Sequence, residues 1–336
     1  MFLIRQAQTE DFQGVFALAK ILDSYNLPYH RRTIQELLST SEASFEGRLP
    51  KEKARYLFVL EQRGKIVGCS LIHAKHGTRG KPHLWFSLER LSKYSRTLKV
   101  RRTHQILRLG YTEDGPTEVG GLVVLPGYRR HPLACGMQIS FVRFLYMGIH
   151  PERFEGKILV EYRGVLGERN RSTFWESFGR VFTGLSYKRA DRFSVVNKEF
   201  ILGLMPHEPI YCALLPKSVQ EAIGAIHPAA QRAAALLRSI GFRPLPQVEP
   251  FDGGPYYGAK KSEITIFRQT RRFLVGEAPS SMRGKRYLLG TEARGFFRAG
   301  VGTGSVRGDR VILYPEAMRF LQVKAGDPVY VCPLSG

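Results

Sequence analysis

The feature that most constrains this 336-residue chain is a strand pattern with two adjacent glycines at its centre. The strand is predicted at Glu118–Leu125 (EVGGLVVL), and a cationic loop and a strongly apolar helix, Gly136–Met147, follow it. Glycine weakens the interior of a strand, so it marks a bulge or a place where another backbone or a ligand comes close. We therefore expect this strand to be bulged or to lie against a bound molecule.

A second constraint comes from Ile223–Pro255, which combines a His-Pro pair, a short helix and a glycine-rich turn. His227 precedes the helix, and Pro228 suits its first turn, where a missing N–H costs nothing. Gly241 is placed to close the helix in a left-handed conformation. The pattern holds an imidazole at a rigid helix entrance, where it could handle protons. The alternative is a histidine that only caps the helix or fills the core.

The remaining patterns alternate between strand and helix periodicity and predict a mixed α/β fold. Residues 77–110 are rich in Gly, Lys and Arg and fit no element. The other predicted elements are a strand at 2–8, a helix opened by Thr9-Glu10-Asp11, a helix at 32–38, a hairpin of Tyr56–Leu60 and Lys65–His73, a strand at 157–162, and a short helix at Thr173–Phe178 that Gly179 stops.

Composition excludes several classes of protein. Hydrophobic residues make up 43% of the chain, which is typical of a globular protein. No window approaches the roughly 18 uninterrupted apolar residues of a membrane span. The four cysteines are far apart and share no metal-ligand spacing, so we expect reduced thiols, no metal site and a cytoplasmic protein.

The net charge of +22 favours anionic partners. A polyphosphate cofactor and nucleic acid are both candidates, and a merely solvated basic surface is the third reading. The densest run, Lys93–Arg108, lacks the interleaved aromatic residues of a single-strand binding face. We expect no nucleic-acid partner, although the charge alone does not exclude one.

The element order, with EVGGLVVLPGYRRHPLACG at its centre, resembles the GNAT-like acyl-CoA N-acyltransferases over about residues 1–195. The resemblance implies that a splayed strand offers backbone groups to the pantetheine arm of CoA. It also implies that the next loop and helix N-terminus hold the pyrophosphate, where free N–H groups and the helix dipole favour an anion. The implied cofactor-binding residues are Leu122, Val124, Arg129, Arg130, Ala134 and Gly136.

The loop departs from the family pattern at one position. The usual form has Arg or Gln, two residues, Gly, one residue, and then Gly or Ala. Here the loop reads Arg129-Arg130-His131-Pro132-Leu133-Ala134, and Pro132 replaces the glycine and removes one N–H donor. The charges of the preceding residues could offset the missing hydrogen bond.

Further motifs are similar to those of the arginine N-succinyltransferase family. They are TFWESFGRVF, FILGLMPHEPIY, IGAIHPAA, LLRSIGF and FDGGP, in this order, and the resemblance runs to about Phe273. It implies succinyl transfer from succinyl-CoA to the α-amino group of L-arginine, with no tightly bound cofactor. We expect a GNAT-like domain at 1–195. The likeness of WESFGRVF to LRSIGF suggests a partial second GNAT-like unit at 196–273, with chance similarity at a helix stop as the alternative, and short strands with Gly-Asp turns indicate a small β-rich appendage at 274–336.

The resemblance also assigns roles to individual residues. Many enzymes of this fold carry a tyrosine acid at the position occupied here by Leu237, so the acid must come from elsewhere, and His227 is the residue that the family would use. A guanidinium pairs best with carboxylates, for which Asp252 is the first candidate and Glu161 and Glu118 follow. Arg163 is the candidate for the succinyl carboxylate.

Two other readings stay open at this point. The chain could acylate another amine such as ornithine, or use another acyl-CoA. It could also be a non-catalytic basic binding protein on the same frame, since Pro132 weakens the phosphate loop and the C-terminal strands resemble a swapped-hairpin DNA-binding fold. Because such hairpins also serve self-association, we expect a homo-oligomer.

Overall fold

The computed structural model of the protein describes residues 2–22, 24, 26–167, 171–277 and 284–334. Its strands are β1 (Leu3–Gln6), β2 (Arg55–Gln62), β3 (Lys65–His73), β4 (His83–Ser95), β5 (Val100–Thr112), β6 (Thr117–Val124), β7 (Lys157–Glu161), β8 (Ile210–Tyr211), β9 (Arg243–Val248), β10 (Pro255–Lys260), β11 (Arg271–Val275), β12 (Lys285–Thr291), β13 (Arg298–Arg307), β14 (Arg310–Leu313) and β15 (Pro328–Pro333).

The α-helices stand between groups of strands along the chain, which confirms the mixed α/β prediction. They are α1 (Phe12–Leu22), α2 (Arg31–Phe45), α3 (Cys135–Ile149), α4 (Arg180–Thr183), α5 (Tyr187–Val196), α6 (Glu199–Leu204), α7 (Lys217–Ala222), α8 (Gln231–Ser239), α9 (Thr265–Gln269) and α10 (Pro315–Leu321).

The chain divides into two compact units, and neither is a continuous stretch. Unit 1 comprises Met1–Lys75, Thr117–Ile158 and Lys260–Gly336, and unit 2 comprises His76–Pro116 and Leu159–Ala259. These boundaries differ from the predicted ones at 195/196 and 273/274, because strand pairing joins distant segments: β1 pairs with β13 inside unit 1. The division into three consecutive domains therefore stays a prediction.

The sheet of unit 1 has helices on both faces. Its strand order is β12-β15-β11-β14-β13-β1-β2-β3-β6. Successive side chains of a strand point to opposite faces, so Leu57, Val59 and Leu71 share a core cluster with α1 and α2. On the other face, Ser70 Oγ donates a hydrogen bond to the Ile139 carbonyl of α3 at 2.6 Å. These contacts fix α3, and with it the loop that precedes α3.

The C-terminal strands form the β-rich part that the sequence predicted, with α10 packed on them. Their core consists of Val275, Leu289, Val311, Leu313, Ala317, Leu321, Val329 and Val331, among others. The strand β13 pairs with β12, β14 and β1. This segment therefore continues the sheet of unit 1 instead of standing apart from it.

The strand β6 carries the bulge that its glycines predicted. Cys69 pairs with Val123 and Leu71 pairs with Gly120, so β6 contains one residue more than β3 between these pairs. Gly121 has a φ of +57°, the conformation expected at such a bulge. A Cβ on Gly120 would lie 2.3 Å from the Asn26 Nδ2 atom. The predicted bulge is confirmed, and the close neighbour of Gly120 is a side chain and not another backbone or a ligand.

The substitution Gly121→Ala tests the bulge. The positive φ disfavours a Cβ, so we expect the free energy of unfolding to fall by about 1–2 kcal/mol in urea denaturation. Gly156→Ala is the matched control, because its Cβ would meet nothing within 4 Å and its φ is not positive. An equal loss of unfolding free energy in Gly121→Ala and Gly156→Ala would contradict the assignment of Gly121 to a bulge that requires a positive φ.

In unit 2 the strand order is β7-β10-β9-β4-β5-β8. The residues at 77–110 that fitted no element turn out to contain the long β4–β5 hairpin, in which Lys99 has a φ of +52°. Only its root residues, such as Phe86 and Leu107, belong to the core. Most of the cationic run Lys93–Arg108 lies beyond the root, where both faces are largely exposed, so the alternation of a half-buried strand is missing.

One helix boundary was predicted wrongly. Gly179 does not stop the helix at Thr173–Phe178: a π-helical turn, Trp175–Gly179, continues into α4, which ends at Gly184 with a φ of +68°. Gly179 is required for packing, since a Cβ there would lie 2.4 Å from the Trp175 ring. Arg180–Phe182 is therefore helical and does not lead into a strand.

Candidate active site

His227 caps the helix that follows it. Its Nδ1 atom accepts a hydrogen bond from the Ala229 N–H at 3.2 Å, and its own backbone N–H donates to the Arg163 carbonyl at 2.9 Å. The side chain is half-buried. A ring nitrogen that accepts an N–H carries no proton, so the neutral imidazole holds its proton on Nε2. The cap thus leaves the Nε2–H as the group that can serve a ligand.

The helix after His227 is built as the sequence suggested. A short 3-10 turn at Pro228–Ala230 leads into α8, and Gly241 follows its end with a φ of +117°. Leu237 is 2% exposed and belongs to the apolar face of α8. A buried leucine performs no proton chemistry, so proton transfer must come from another side chain.

The glycine-rich turn is closed by two buried carboxylates. Glu249 Oε2 accepts the N–H groups of Phe251 and Asp252 at 2.6 and 2.9 Å. Asp252 Oδ1 accepts the Gly254 N–H at 2.8 Å, and its Oδ2 accepts the Gly164 N–H at 2.9 Å. Asp252 was predicted to bind the substrate guanidinium. Each of its oxygens already holds one backbone amide, which leaves its remaining lone pairs and its charge for that task.

Burial shifts both carboxyl groups in the same direction. It raises the pKa of Glu249 well above its ordinary value, and the nearby Glu161 and Asp252 carboxylates raise it further. Burial also raises the pKa of Asp252, against the opposing effect of its two backbone hydrogen bonds and of the Arg163 charge. Both carboxyl groups therefore keep their protons to a higher pH than exposed carboxyl groups do.

Of the other predicted substrate residues, Glu118 is buried in unit 1, where its Oε1 accepts a hydrogen bond from Asn26 Nδ2 at 2.8 Å, so it does not belong to this turn. The remaining two lie at the end of β7. Glu161 is exposed and accepts a long hydrogen bond of 3.5 Å from the Tyr256 hydroxyl. Arg163 is exposed, its carbonyl holds His227, and its charge acts on Asp252. The structure thus brings Glu161, Arg163, His227 and Asp252 into one network of contacts and charges.

Sequence reasoning missed two members of this network. One is Glu249, whose only signal was its position three residues before Asp252 at the start of the turn. The other is Tyr187, the first residue of α5, whose pKa is raised by burial and by the charges of Asp252, Glu249 and Asp191. Nothing in the sequence around Tyr187 indicated that it faces these carboxylates.

The predicted phosphate loop belongs to unit 1 and leads into α3. Ala134 has a φ of +52° and is the N-cap of α3, and its N–H donates to the His131 carbonyl at 2.8 Å. The first N–H groups of an α-helix have no intrahelical partners, and here they belong to the turn that contains Gly136. Arg129 and Arg130 are exposed. The arrangement suits an anion with several oxygens.

The end of β6 is tied to the same loop. Arg129 Nε donates to the Val124 carbonyl at 3.2 Å, while Leu122 lies at the bulge and is half-buried. Gln138 Nε2 donates to the Leu133 carbonyl at 2.6 Å, and Leu133 N–H donates to His131 Nδ1 at 3.2 Å. These side-chain contacts brace the loop on both sides of Pro132.

Other kinds of site find little support in the described ranges. No group of three or more His, Cys, Asp or Glu side chains there is arranged to hold a metal ion. No helix among the described residues is long and apolar enough to cross a membrane. The four cysteines are unpaired thiols and all are buried, and burial raises the pKa of Cys69 to about 12.

The bulged strand, the cationic loop and the helix N-terminus follow one another in the order expected of an acyl-CoA N-acyltransferase. The chain belongs to the arginine N-succinyltransferase family: the profile described as arginine N-succinyltransferase beta subunit matches residues 2–266, and the profile of that subunit's C-terminal domain matches residues 271–333.

Individual relatives agree with this assignment. The chain is 34% identical over 312 residues to arginine N-succinyltransferase subunit alpha of Pseudomonas aeruginosa, with 90% of each chain covered. It is 32% identical over 305 residues to arginine N-succinyltransferase of Enterobacter sp. strain 638, covering 89% of this chain and 88% of that protein. Its structure is similar to that of arginine/ornithine succinyltransferase subunit AI from Pseudomonas aeruginosa, with a TM-score of 0.84, 31% identity, and coverage of 100% and 99%.

The raised pKa of Glu249 predicts how stability depends on pH. Where the unfolded chain has released the proton and the folded chain still binds it, stability falls as the pH rises. Relative to the wild type, the Glu249→Gln variant should therefore gain stability above about pH 4.5, the ordinary value, by up to about 1.4 kcal/mol per pH unit. Urea denaturation across the pH range measures the difference. The exposed Glu221→Gln variant is the control. A curve of unfolding free energy against pH for Glu249→Gln that runs parallel to the wild-type curve would contradict the prediction.

Proposed function

We propose that this chain transfers a succinyl group from succinyl-CoA to the α-amino group of L-arginine, giving N2-succinylarginine and CoA. The observation that carries the proposal is the similarity, over 90% of each chain, to arginine N-succinyltransferase subunit alpha of Pseudomonas aeruginosa. In the reaction the α-ammonium group first releases a proton to water, and the amine nitrogen attacks the thioester carbonyl carbon. The C–S bond then breaks, and a second proton passes from the nitrogen to the departing thiolate, which leaves as CoA with a free thiol. An amine attacks a thioester directly, so no enzyme nucleophile is required.

His227 is the proposed proton-handling residue. With Nδ1 held by the Ala229 N–H, the neutral ring offers Nε2–H as a donor. That N–H can hydrogen-bond to the sulfur as negative charge develops on it, so His227 acts as a hydrogen-bonding acid whose ring keeps its own proton. Accepting a proton at Nε2 would first require the ring proton to move to Nδ1 and the cap to open. The geometry therefore favours the donor role over that of a general base.

The carboxylates of unit 2 are the proposed site for the guanidinium. Glu161 is the exposed member and is proposed to make the direct contact, while the buried Asp252 contributes charge and the remaining lone pairs of its oxygens. Arg163, which is exposed beside them, is proposed to pair with the succinyl carboxylate. Planar bidentate pairing suits both contacts.

Succinyl-CoA is the proposed co-substrate, with no tightly bound cofactor. The backbone of Leu122 and Val124 at the bulge is proposed to contact the pantetheine arm. Arg129, Arg130 and the helix start at Ala134–Gly136, through the N–H groups that follow Ala134, are proposed to hold the pyrophosphate. We further propose a cytoplasmic homo-oligomer without a nucleic-acid partner, which light scattering and salt-dependent DNA binding assays test.

The choice of acceptor and acyl group is open to a direct assay. The related structure is described as an arginine/ornithine succinyltransferase, which makes ornithine the specific alternative. Release of free CoA is measured with succinyl-CoA or acetyl-CoA as donor and arginine or ornithine as acceptor. We expect the highest kcat/KM for succinyl-CoA with arginine, and mass spectrometry should find the product acylated on N2. Release with no pair of substrates would overturn the proposal.

The variant His227→Ala tests the proposed acid. We expect kcat to fall by at least about a hundredfold, the ordinary contribution of a positioned acid, while the KM for succinyl-CoA changes little. His30→Ala is the matched control, because the His30 Nδ1 also caps a helix by accepting the Thr33 N–H. Turnover near the wild-type value in His227→Ala would remove His227 from the mechanism.

The double variant Arg129→Ala/Arg130→Ala tests the phosphate loop. The loss of charged hydrogen bonds to phosphate should raise the KM for succinyl-CoA by about tenfold or more, with the KM for arginine unchanged. Arg32→Ala, which removes an exposed arginine of α2, is the control. An equal rise in the KM for succinyl-CoA and in the KM for arginine would place the two arginines outside the CoA site.

A further inference from the structure

The segment that carries His227 is held by hydrogen bonds that lead back to two buried carboxylates. The path starts at Glu249, passes through the turn 249–254 to Asp252, crosses to Arg163-Gly164, and reaches residues 224–227. All of these residues belong to unit 2. Each step is a hydrogen bond between specified atoms.

The first step fixes the shape of the turn. Glu249 Oε2 gathers the N–H groups of Phe251 and Asp252, and the backbone closes the turn with bonds from Glu249 N–H to Gly254 O and from Gly253 N–H to Glu249 O, at 2.8 and 3.0 Å. Gly253 has a φ of +70°. Both carboxylates are less than a tenth exposed, so water does not replace their contacts freely.

The second step links the turn to the chain after β7. Asp252 Oδ2 accepts the Gly164 N–H at 2.9 Å, while Oδ1 keeps the Gly254 N–H at 2.8 Å. The two backbones are so close that a Cβ on Gly164 would lie 2.5 Å from the Asp252 carbonyl oxygen. The position of Gly164 is therefore set by the Asp252 carboxylate.

The third step fixes the histidine segment at several points. Gly224 N–H donates to Gly253 O at 2.8 Å, Ile226 forms an antiparallel bridge with Gly164, and His227 N–H donates to Arg163 O at 2.9 Å. The imidazole is then oriented by its cap on Ala229. The backbone of His227 cannot shift without breaking a bond that depends on the turn or on Gly164.

We propose that Glu249 and Asp252 are positioning residues for His227: through the turn and through Gly164 they hold the histidine backbone so that its ring can present the Nε2–H as a donor. The inference rests on the proposed role of His227 in acyl transfer. It assigns a function to Glu249, which touches neither substrate. A displacement of about 1 Å at a catalytic group can cost about a hundredfold in rate.

The two carboxylates differ in a way that makes the proposal testable. One oxygen of Glu249 accepts both of its N–H groups, so the amide oxygen of Glu249→Gln can replace it. Asp252 uses one oxygen for each N–H, so Asp252→Asn must turn an amide NH₂ toward a backbone donor. We expect Glu249→Gln to keep most of the turnover, and Glu249→Ala and Asp252→Asn to lose at least about tenfold in kcat.

A double-mutant cycle separates positioning from general stability. The kcat of Glu249→Ala and Asp252→Asn is measured alone and combined with His227→Ala, with folding checked by urea denaturation. Arginine is kept at saturating concentration, so that a lost guanidinium contact of Asp252 changes the KM for arginine and not kcat. If the carboxylates act through His227, the second substitution should change kcat less than about twofold once the imidazole is gone. Glu221→Ala, an exposed carboxylate in the same unit, should have no effect in either background.

The possible results have distinct meanings. Multiplicative losses in the double variants, or equal losses in Glu249→Gln and Asp252→Asn, would overturn the positioning role while leaving His227 in the mechanism. A near-normal kcat in His227→Ala alone would instead overturn the proposed acid, and the positioning role with it. If Glu249→Ala does not fold, Asp252→Asn carries the cycle, because it retains the shape of the side chain.

Discussion

The candidate site depends on the Asp252 carboxylate, which bridges two backbone N–H groups from segments 90 residues apart. A buried carboxylate is costly unless hydrogen bonds satisfy it, and an amide left without an acceptor costs about 1–3 kcal/mol. Each partner therefore requires the other. Because of these hydrogen bonds, Gly164, the turn at 249–254 and the segment of His227 lie next to one another. Local helix and strand preferences alone could not produce this arrangement.

Charge is distributed unevenly for a protein with a net charge of +22. The cationic side chains follow the β4–β5 hairpin and the loop before α3, whereas Glu161, Glu249 and Asp252 meet around one turn. A cationic amino acid is repelled by the overall field and needs a local cluster of carboxylates, while a polyphosphate donor is attracted by it. The opposite demands of the two proposed substrates thus match the two kinds of surface that the chain provides.

Local sequence rules predicted the features that depend on a few neighbouring residues. The bulge at Gly121, the cap at His227 and the positive φ at Gly241 follow from the limited conformations of glycine and from the geometry of a helix start. The rules failed where a distant partner decides. Gly179 looks like a helix stop but accommodates the Trp175 ring, and the long β4–β5 hairpin lacks alternation because only its root is buried. Glu249 gave no signal, since its partners become visible only in the folded turn.

The central claim is that the hydrogen-bonded turn fixes His227 so that Nδ1 is an acceptor and Nε2 carries the proton. The ¹⁵N chemical shifts of the histidine ring, recorded at a pH where the imidazole is neutral and assigned by comparison with His227→Ala, report this tautomer directly. The account predicts a protonated Nε2 in the wild type, and a mixture of tautomers in Asp252→Asn. A wild-type ring protonated on Nδ1 would contradict it, because the cap would then be absent and His227 would be arranged as a base.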